Sequence, residues 1–241
     1  VEEDFARAAL PPRKPDGHKG TFGKVLVAGG SVGYTGAPWL TASAAVRSGC
    51  GLVYLGVPES IWAIEAAKCV SAMPFPLPEK EGKLRHRALP ALREKLSGCD
   101  VLALGPGLGR GESADRLVLE LLAAAPQPVV LDADGINALE GHIDILDGRR
   151  GRVTILTPHD GEFARLTGAL PGDDRIGAAR EFAQAHGCIL ALKGHRTVTA
   201  TPEGNVLVNP TGNSGLAKGG SGDVLTGLIA SLLAQGATPV Q

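Results

Sequence analysis

The sequence predicts an α/β protein, a three-layer αβα sandwich in which a mostly parallel central sheet lies between two layers of helices. Short apolar runs such as KVLVAGG (24–30) alternate with helix-compatible segments along the chain, which is typical of right-handed βαβ crossovers. Polar or glycine-rich loops follow most of these runs, at the edge where parallel sheets bind ligands. A chain of 241 residues with 44% hydrophobic residues can form one core of this kind.

Composition narrows the class of function. The formal net charge of −1 gives no support to nucleic acid or an anionic membrane as a partner, and no uninterrupted apolar run is long enough to span a bilayer. The four cysteines are scattered without a CxxC pair, so we expect buried thiols in a cytoplasmic protein. Several of the 34 glycines stand at the ends of apolar runs, which favours a small-molecule site over a scaffold.

The first part of the chain alternates between predicted strands and helices. KVLVAGG predicts a buried strand, and the helical run after it stops at Gly49, a residue suited to a C-cap. The next strand is GLVYLGV (51–57), and the helix that follows has Ser60 as its expected N-cap. The segment MPFPLPEKEGK (73–83) is expected to form a proline-rich loop.

The rest of the chain continues the alternation. Strands are predicted in DVLALGPGLG, PVVLDADGINAL, VTILTPHDGEFARLTG and CILALKGHRTVTAT, the last of which continues into a hairpin with NVLVNP. Helices are predicted in ESADRLVLELLAAA, DRIGAAREFAQAHG and KGGSGDVLTGLIASLL. With no visible repeat or boundary, residues 19–241 are predicted to form one domain, preceded by a charged, proline-containing arm or linker at residues 1–18.

The stretch KGGSGD places glycines and an acid at the start of the last helix. A helix that begins near Ser221 leaves its first backbone N–H groups free to hold an anion, and Gly219, Gly220 and Gly222 let a ligand approach them closely. The carboxylate of Asp223 could then accept the proton of an alcohol during phosphoryl transfer. The alternative is that Asp223 is the helix N-cap and that the glycines form a tight turn.

Two further loops bear on phosphate binding. In KGHRT (193–197), Lys193 and Arg196 could meet phosphates, or the loop could be a basic turn on the surface. The run GPGLGRG does not have the spacing of a Rossmann fingerprint, and the chain carries no Walker A loop. The spacing of the six histidines indicates neither a catalytic triad nor a metal cluster.

Acidic side chains follow two other predicted strands. In TPHDGE, His159 could contact a substrate or be structural, while Asp160 could cap the next helix with Glu162 in its first turn. Asp132 and Asp134 could hold Mg²⁺ through water. The alternative for this pair is a turn in which Asp134 caps the following helix.

Seven segments, taken in order, resemble the ADP/ATP-dependent NAD(P)H-hydrate dehydratases of the ribokinase-like superfamily. They cover nearly the whole chain: HKGTFGKVLVAGGSVGYTGA, RSGCGLVYLGVP, LALGPGLG, VVLDADGINAL, TPHDGEFARLTG, LKGHRTVTATPEG and NPTGNSGLAKGGSGDVLTGLIASLLAQG. The resemblance implies a ribokinase-like fold and a metabolite-repair lyase that returns hydrated NADH or NADPH, NAD(P)HX, to NAD(P)H. It implies ADP or ATP as co-substrate, with Mg²⁺ bridging the phosphates: the ring hydroxyl is phosphorylated and then lost as phosphate.

The resemblance also implies the residues of the site, position by position. Asp223 is the implied catalytic base and touches the substrate, and the hydrated dinucleotide is expected to contact Ala37, Gly107 and His159 as well. Glu162 is expected to reach Mg²⁺ through water. The implied nucleotide-binding residues are Lys193, Gly194, His195, Arg196, Thr197 and Gly222, and the implied anion hole consists of Gly219, Gly220, Ser221 and Gly222.

The resemblance also implies that the protein assembles as a homo-oligomer, and specifically as a tetramer. The arm FARAALPPRKPDGHKG is similar to the segment after the epimerase domain of bifunctional relatives, so we expect an NAD(P)HX epimerase to be fused to the chain or to work with it. The chain ends at GATPVQ, soon after the last predicted helix, whereas family members continue through further helices. We therefore expect a domain shortened at its C-terminus.

Two other functions compete with this interpretation. The first is a small-molecule kinase of the same superfamily, acting on an alcohol such as a thiamine precursor. It would share Asp223 and the anion hole, but TPHDGE and GPGLG fit the dehydratases better. The second is a nucleotide-binding sensor without turnover, in which Asp223 would be dispensable.

Overall fold

A nine-stranded sheet forms the centre of the computed structural model, which describes residues 3–240. The strands lie in the order β11-β10-β9-β8-β7-β6-β1-β2-β3, and all neighbours are parallel except at β10, which is antiparallel to β9 and β11. A separate hairpin joins β4 and β5. The strand bounds are β1 Lys24–Ala28, β2 Leu52–Pro58, β3 Met73–Leu77, β4 Glu79–Lys80, β5 Lys83–Leu84, β6 Val101–Leu104, β7 Val129–Leu131, β8 Thr154–Leu156, β9 Ile189–Leu192, β10 Val198–Ala200 and β11 Val206–Val208.

Helices cover both faces of the sheet, so the predicted three-layer α/β sandwich is confirmed. One core contains side chains of α2, α3 and α9, and the other contains side chains of α4, α5, α7 and α8. The helix bounds are α1 Glu3–Ala9, α2 Gly36–Arg47, α3 Glu59–Lys68, α4 Leu89–Leu96, α5 Glu112–Ala124, α6 Asp134–Asn137, α7 Asp160–Thr167, α8 Arg175–His186 and α9 Ser221–Ala234. Across residues 3–240, no helix combines the length and apolarity that crossing a bilayer requires.

The strand order changes direction between β1 and β6. From β1 the chain builds the sheet towards β3, and from β6 it builds the sheet towards β11. The loops that follow β1 and β6 therefore diverge, and a crevice opens between them at the carboxyl edge, where doubly wound sheets bind ligands. Two contacts span this crevice: the N–H of Gly30 donates to the carbonyl of Pro106 at 2.8 Å, and the Ser31 hydroxyl donates to the carbonyl of Gly107 at 2.8 Å.

Two sequence predictions about the first part of the chain were wrong. The proline-rich segment contains the β4–β5 hairpin and β3, an edge strand that pairs only with β2 within residues 3–240. Proline is accepted in an edge strand when its nitrogen faces away from the partner, and Pro74 and Pro76 alternate as that requires. Ser60 is not a cap: α3 begins at Glu59 after Pro58, and the Ser60 hydroxyl donates to the carboxylate of Glu79.

Other expectations agree with the structure. The helix α2 ends at Arg47 with Ser48 as its C-cap, and Gly49 stops the helix one residue later than a C-cap, with a φ of +101° in the left-handed region. Three of the four free cysteines, Cys50, Cys99 and Cys188, are buried. Burial raises the pKa of the Cys99 thiol to about 11 and that of Cys188 to about 12, so both stay protonated.

The arm at residues 1–18 is attached to the domain at Arg13, beyond α1. The Arg13 guanidinium lies over the ring of Phe22 at 3.6 Å, and it donates to the carbonyl of Gly49 at 2.9 Å and to the side chain of Gln235 at 3.0 Å. The division of the chain at residue 18 stays a prediction.

The helices α2 and α9 pack closely because α9 carries Gly227 at the contact. A Cβ atom at Gly227 would lie 2.1 Å from the carbonyl oxygen of Thr41, which is backbone and cannot rotate away. The middle of α9 is therefore held against α2, the helix that follows the β1 loop.

Substituting this glycine tests how rigid the α2–α9 contact is. We expect Gly227→Ala to lower the free energy of unfolding by up to about 2 kcal/mol, since overpacking costs roughly 1–3 kcal/mol and the gain in helix propensity offsets about 1 kcal/mol of it. Urea unfolding measures the change. Gly148→Ala is the control, because among residues 3–240 no atom beyond its chain neighbours lies within 4 Å of its added Cβ. Equal stability of the two variants would contradict the close contact.

Candidate active site

The start of α9 presents unpaired backbone donors. The N-cap of α9 is Gly220, with a φ of +92° and no side-chain cap. Within residues 3–240, the N–H groups of Gly222 and Asp223 donate to no acceptor, and the buried hydroxyl of Ser221 has no partner. A fourteen-residue helix adds the positive end of its dipole at this point. The arrangement is suited to an anion, as the sequence predicts for this loop.

Asp223 lies beside these donors and is not the helix cap. It is the third residue of α9, so the alternative in which it caps the helix is wrong. The carboxylate is half-buried and accepts no hydrogen bond from residues 3–240. Burial raises its pKa, the nearby charge of Asp132 raises it further, and Lys193 lowers it. A free carboxylate whose pKa is raised is a suitable general base.

Asp132 is the most heavily bonded carboxylate near Asp223. It follows β7 and is 2% exposed. Its Oδ1 accepts from the ammonium of Lys193 at 2.9 Å and from the hydroxyl of Thr157 at 2.8 Å, and its Oδ2 accepts from the hydroxyl of Thr226 at 2.9 Å. Buried carboxylates persist in proteins when they are paired in this way.

The KGHRT loop divides into an inward and an outward part. The Lys193 side chain is mostly buried and its ammonium also lies 3.8 Å from the carboxylate of Glu162. His195 and Arg196 are exposed, and Arg196 has a φ of +58°. The Thr197 hydroxyl closes the turn by donating to the carbonyl of Gly194 at 3.2 Å. The alternative of a basic surface turn therefore fits Arg196 but not Lys193.

Arg175, the first residue of α8, holds the KGHRT loop by a hydrogen bond to its backbone. Its guanidinium donates to the carbonyl of Lys193 at 3.0 Å and to the carboxylate of Asp160. Asp160 therefore makes an ion pair with α8, and the expectation that it caps α7 was wrong. Because Arg175 contacts both segments, the start of α7 and the KGHRT loop form one connected edge.

His159 is the N-cap of α7. Its Nδ1 accepts from the N–H groups of Gly161 at 3.0 Å and Glu162 at 3.2 Å, while the Glu162 carboxylate accepts from the N–H of His159 at 2.8 Å. These reciprocal bonds form a capping box. Because Nδ1 is an acceptor, the neutral imidazole ring carries its N–H hydrogen on Nε2. The His159 side chain is 54% exposed. The Nδ1 side of the ring stabilises the helix, Nε2 lies 3.5 Å from the Glu162 carboxylate, and the rest of the ring is exposed enough to contact a ligand.

Two substitutions separate these two roles of His159. We expect His159→Ala to lower the free energy of unfolding by about 1 kcal/mol because α7 loses its cap, and His159→Asn to retain most of it because asparagine is a good N-cap. If the ring also contacts the dinucleotide, both variants should raise its KM. Thermal unfolding and steady-state kinetics measure the two effects. An unchanged KM in both variants would assign His159 to the cap alone.

The predicted substrate residues after β1 and β6 are close together. A Cβ atom at Gly107 would lie 3.0 Å from the Cβ of Ala37 and 2.9 Å from the carbonyl oxygen of Tyr34, and the φ of Gly107 is +66°. The N–H of Gly109 donates to the Asp134 carboxylate at 2.8 Å. Asp134 therefore holds the β6 loop, and is the first residue of α6 after Ala133 rather than its cap.

Known proteins share this arrangement of strands and loops. The family described as NAD(P)H-hydrate dehydratase matches residues 25–241. The chain belongs to the NAD(P)H-hydrate dehydratase family. The bifunctional NAD(P)H-hydrate repair enzyme Nnr of Moorella thermoacetica is 47% identical over 239 residues, which are 98% of this chain and 45% of that protein. The chain thus spans about half the length of the curated bifunctional relatives it matches.

Solved structures agree with this placement in the dehydratase family. A ribokinase-like superfamily protein from Enterococcus faecalis superposes with a TM-score of 0.84 and 27% identity, covering 98% of this chain and 79% of that one. The ADP/ATP-dependent NAD(P)H-hydrate dehydratase of Bacillus subtilis, co-crystallised with ATP and Mg²⁺, gives a TM-score of 0.79 and 32% identity, covering 99% and 82%. The predicted ribokinase-like fold is confirmed.

A magnesium ion fits this member of the dehydratase family only when phosphates supply most of its ligands. Within residues 3–240, no three His, Cys, Asp or Glu side chains cluster closely enough to hold a metal. The Lys193 ammonium already lies between the carboxylates of Asp132 and Glu162, where it would repel a directly bound divalent cation. Mg²⁺ commonly binds through substrate phosphates, water and one or two carboxylates. An indirect role for Glu162 is compatible with that mode, whereas direct ligation by Asp132 is not.

Sequence reasoning missed three members of this dehydratase-family site. Thr157 and Thr226 donate to Asp132, and Arg175 holds the KGHRT loop. Thr226 lies three residues after Asp223 on α9, and Thr157 directly follows β8, so their positions alone placed them at the carboxyl edge. Their common acceptor became visible only in three dimensions.

Proposed function

We propose that the chain dehydrates NAD(P)HX to NAD(P)H at the expense of ADP or ATP. The observation that carries the proposal is the Asp223 carboxylate, free of hydrogen bonds from residues 3–240, beside the unpaired N–H groups at the head of α9. Membership of the NAD(P)H-hydrate dehydratase family supports this substrate. The name of the Bacillus subtilis structure supports ADP or ATP as the co-substrate.

The chemistry follows from the placement of these groups. Asp223 takes the proton of the ring hydroxyl as the hydroxyl oxygen attacks the terminal phosphoryl group of the nucleotide. The bond from that phosphorus to the bridging oxygen breaks, so AMP leaves when ADP is the donor and ADP leaves when ATP is the donor. The N–H groups of Gly222 and Asp223, together with the Lys193 ammonium, stabilise the negative charge on that group. The carbon–oxygen bond then breaks with phosphate as the leaving group, and electron donation from the ring nitrogen assists its departure. The neighbouring C–H then gives its proton to water, which restores the dihydronicotinamide.

The two sides of the site receive the two substrates. The dinucleotide is assigned to the crevice between the β1 and β6 loops, with Ala37, Gly107 and His159. The nucleotide is assigned to the KGHRT loop and the head of α9, a set comprising Lys193, Gly194, His195, Arg196, Thr197, Gly219, Gly220, Ser221 and Gly222. When bound, Mg²⁺ neutralises part of the phosphate charge, and Glu162 is the residue that would hold it through water.

Four further properties are proposed on the strength of the resemblance. They are dependence on Mg²⁺, assembly as a homo-oligomer such as a tetramer, a cytoplasmic location, and a companion epimerase that interconverts the forms of the hydrated substrate. The bifunctional name of the Moorella thermoacetica relative supports a second activity beside the dehydratase.

One experiment tests the activity directly. The protein is incubated with hydrated NADH or hydrated NADPH and with ADP, ATP or no nucleotide, while dihydronicotinamide absorbance and free phosphate are measured. We expect absorbance and phosphate to rise together in equal amounts, and only when nucleotide is present. A stable phosphorylated product without recovered absorbance would instead indicate the kinase function. Nucleotide binding without either product would indicate a sensor.

A further inference from the structure

Asp132 accepts hydrogen bonds from three separate parts of the chain. Thr157 follows β8, Lys193 follows β9 and Thr226 belongs to α9, and they lie 25, 61 and 94 residues from Asp132 in the sequence. All three donors meet a carboxylate that is 2% exposed at the end of β7. Asp132 is therefore the point at which the central strands and the anion-binding helix are joined.

The bond to Thr226 controls the orientation of α9. Residues three apart lie on neighbouring positions of one helix face, so Thr226 and Asp223 project to the same side. The Thr226 hydroxyl is fully buried and donates to the Oδ2 of Asp132 at 2.9 Å. This bond restricts rotation of the first turn of α9 about its axis, and thereby the direction of the Asp223 carboxylate.

The bond to Lys193 controls where a positive charge lies. A lysine side chain has four rotatable bonds, and its ammonium is placed only by its partners. Here Asp132 at 2.9 Å and Glu162 at 3.8 Å hold it. A Cβ atom at Gly222 would lie 3.3 Å from the Lys193 Nζ, so the ammonium lies directly beside the anion-binding turn.

We propose that Asp132 is a positioning residue for phosphoryl transfer. It fixes the position of the Lys193 ammonium relative to the first turn of α9. The positive charge, the free N–H groups and the Asp223 carboxylate then face a single phosphoryl group. This inference rests on the proposed function. It assigns Asp132 a part in the reaction without contact with either substrate.

A purely structural carboxylate would behave differently. Buried ion pairs contribute little net stability, although removing one partner leaves the other charge unpaired. A structural role predicts that Asp132→Asn changes the free energy of unfolding and leaves kcat near the wild-type value. A positioning role predicts a lower kcat with little change in KM, because the Lys193 ammonium and the first turn of α9 lose their common partner. The charge of Asp132 acts on the pKa of Asp223 in either case.

The test compares Asp132→Asn with the wild-type protein. We expect kcat to fall by about 10- to 100-fold, as for misplacement of reacting groups by roughly 1 Å, with the KM for the dinucleotide changed by less than about threefold. The acid limb of kcat/KM should move to lower pH. The variant loses the negative charge that raises the pKa of Asp223 and leaves Lys193 unneutralised, and both changes lower that pKa.

Two more variants complete the design. Thr226→Val removes one donor and keeps both charges, so we expect a smaller fall in kcat with an unchanged acid limb; if Asp132→Asn does not fold, this variant decides between the two roles. Asp100→Asn is the matched control, because Asp100 accepts from the N–H of Lys24 at 2.7 Å at the opposite edge of the sheet. We expect it to have wild-type kinetics.

The outcomes separate this inference from the proposed function. If Asp132→Asn and Thr226→Val both keep the wild-type kcat, the positioning role is wrong while the dehydratase function stands. If the wild-type protein regenerates no NADH, the proposed function is wrong. Crystal structures of the wild-type protein and Asp132→Asn then decide the inference alone. An unchanged position of the Lys193 ammonium and of the first turn of α9 in the variant would overturn it.

Discussion

Replacing Asp223 with asparagine is expected to reduce turnover of NAD(P)HX by about 10²- to 10⁴-fold, the usual contribution of a general base. Asparagine keeps the shape of the side chain and the free N–H groups of α9, but it cannot accept the hydroxyl proton. Nucleotide affinity should stay within about threefold of the wild-type value, or increase, because a negative charge beside the phosphates is removed. Steady-state kinetics and titration calorimetry with ADP and ATP measure the two effects.

The matched control for this experiment is Asp115→Asn. Asp115 resembles Asp223 in being half-buried in the first turn of a helix, α5, and burial is likewise the main cause of its raised pKa. It packs on the other face of the sheet, so its variant should keep wild-type turnover. Persistent turnover in Asp223→Asn would remove Asp223 from the role of base. Loss of nucleotide binding as well would mean that the variant had altered the anion-binding turn.

The largest expected loss of stability comes from Arg149, whose side chain is buried on the face of the sheet opposite α9. Arg149 is 1% exposed. Its guanidinium donates at 2.6–2.8 Å to the carbonyls of Leu122 and Ala125 and to the hydroxyl of Thr154. Burial lowers the pKa of Arg149 to about 10, so the group remains charged at neutral pH. Within residues 3–240, no carboxylate pairs with it. The carbonyl dipoles at the C-terminal end of α5 instead stabilise its positive charge.

We expect Arg149→Met to lower the free energy of unfolding by roughly 3–5 kcal/mol, because several buried acceptors each lose about 1–3 kcal/mol without their donor. Arg149→Lys should recover only part of this, since one ammonium cannot reproduce the planar set of donors. Arg152→Met is the control: Arg152 also donates to the carbonyl of Ala125, at 3.2 Å, but is only partly buried. Guanidinium unfolding that gave Arg149→Met and Arg152→Met the same stability would refute this account.

The local sequence was informative where one segment determines its own structure. The alternation of apolar runs and helices predicted the layers, and the glycines before Val224 predicted a helix start with free N–H groups. The capping of α7 was predicted less well, because histidine is an uncommon N-cap and Asp160 is the commoner type of residue. Its position next to Arg175 explains why Asp160 turns to α8 instead.

Contacts between segments that are distant in the sequence could not be predicted from the sequence pattern. Nothing near Asp132 in the chain indicates that its donors are Thr157, Lys193 and Thr226, because strand order and helix packing bring them together. The prolines of β3 led to the wrong prediction of a loop for a related reason. Proline disfavours central strands, and only the sheet order shows that β3 is at an edge.

That edge also limits how copies of the chain can associate. Pro74 and Pro76 have no N–H to offer to an incoming strand, and the carbonyl of Pro74 already accepts from the indole of Trp62 at 3.1 Å. A partner strand would find no continuous row of donors there, and the Pro74 carbonyl already has a donor, as in edges that resist aggregation. A homo-oligomer of this protein would therefore have to be built through helical surfaces or the β11 side, and not by continuing the sheet past β3.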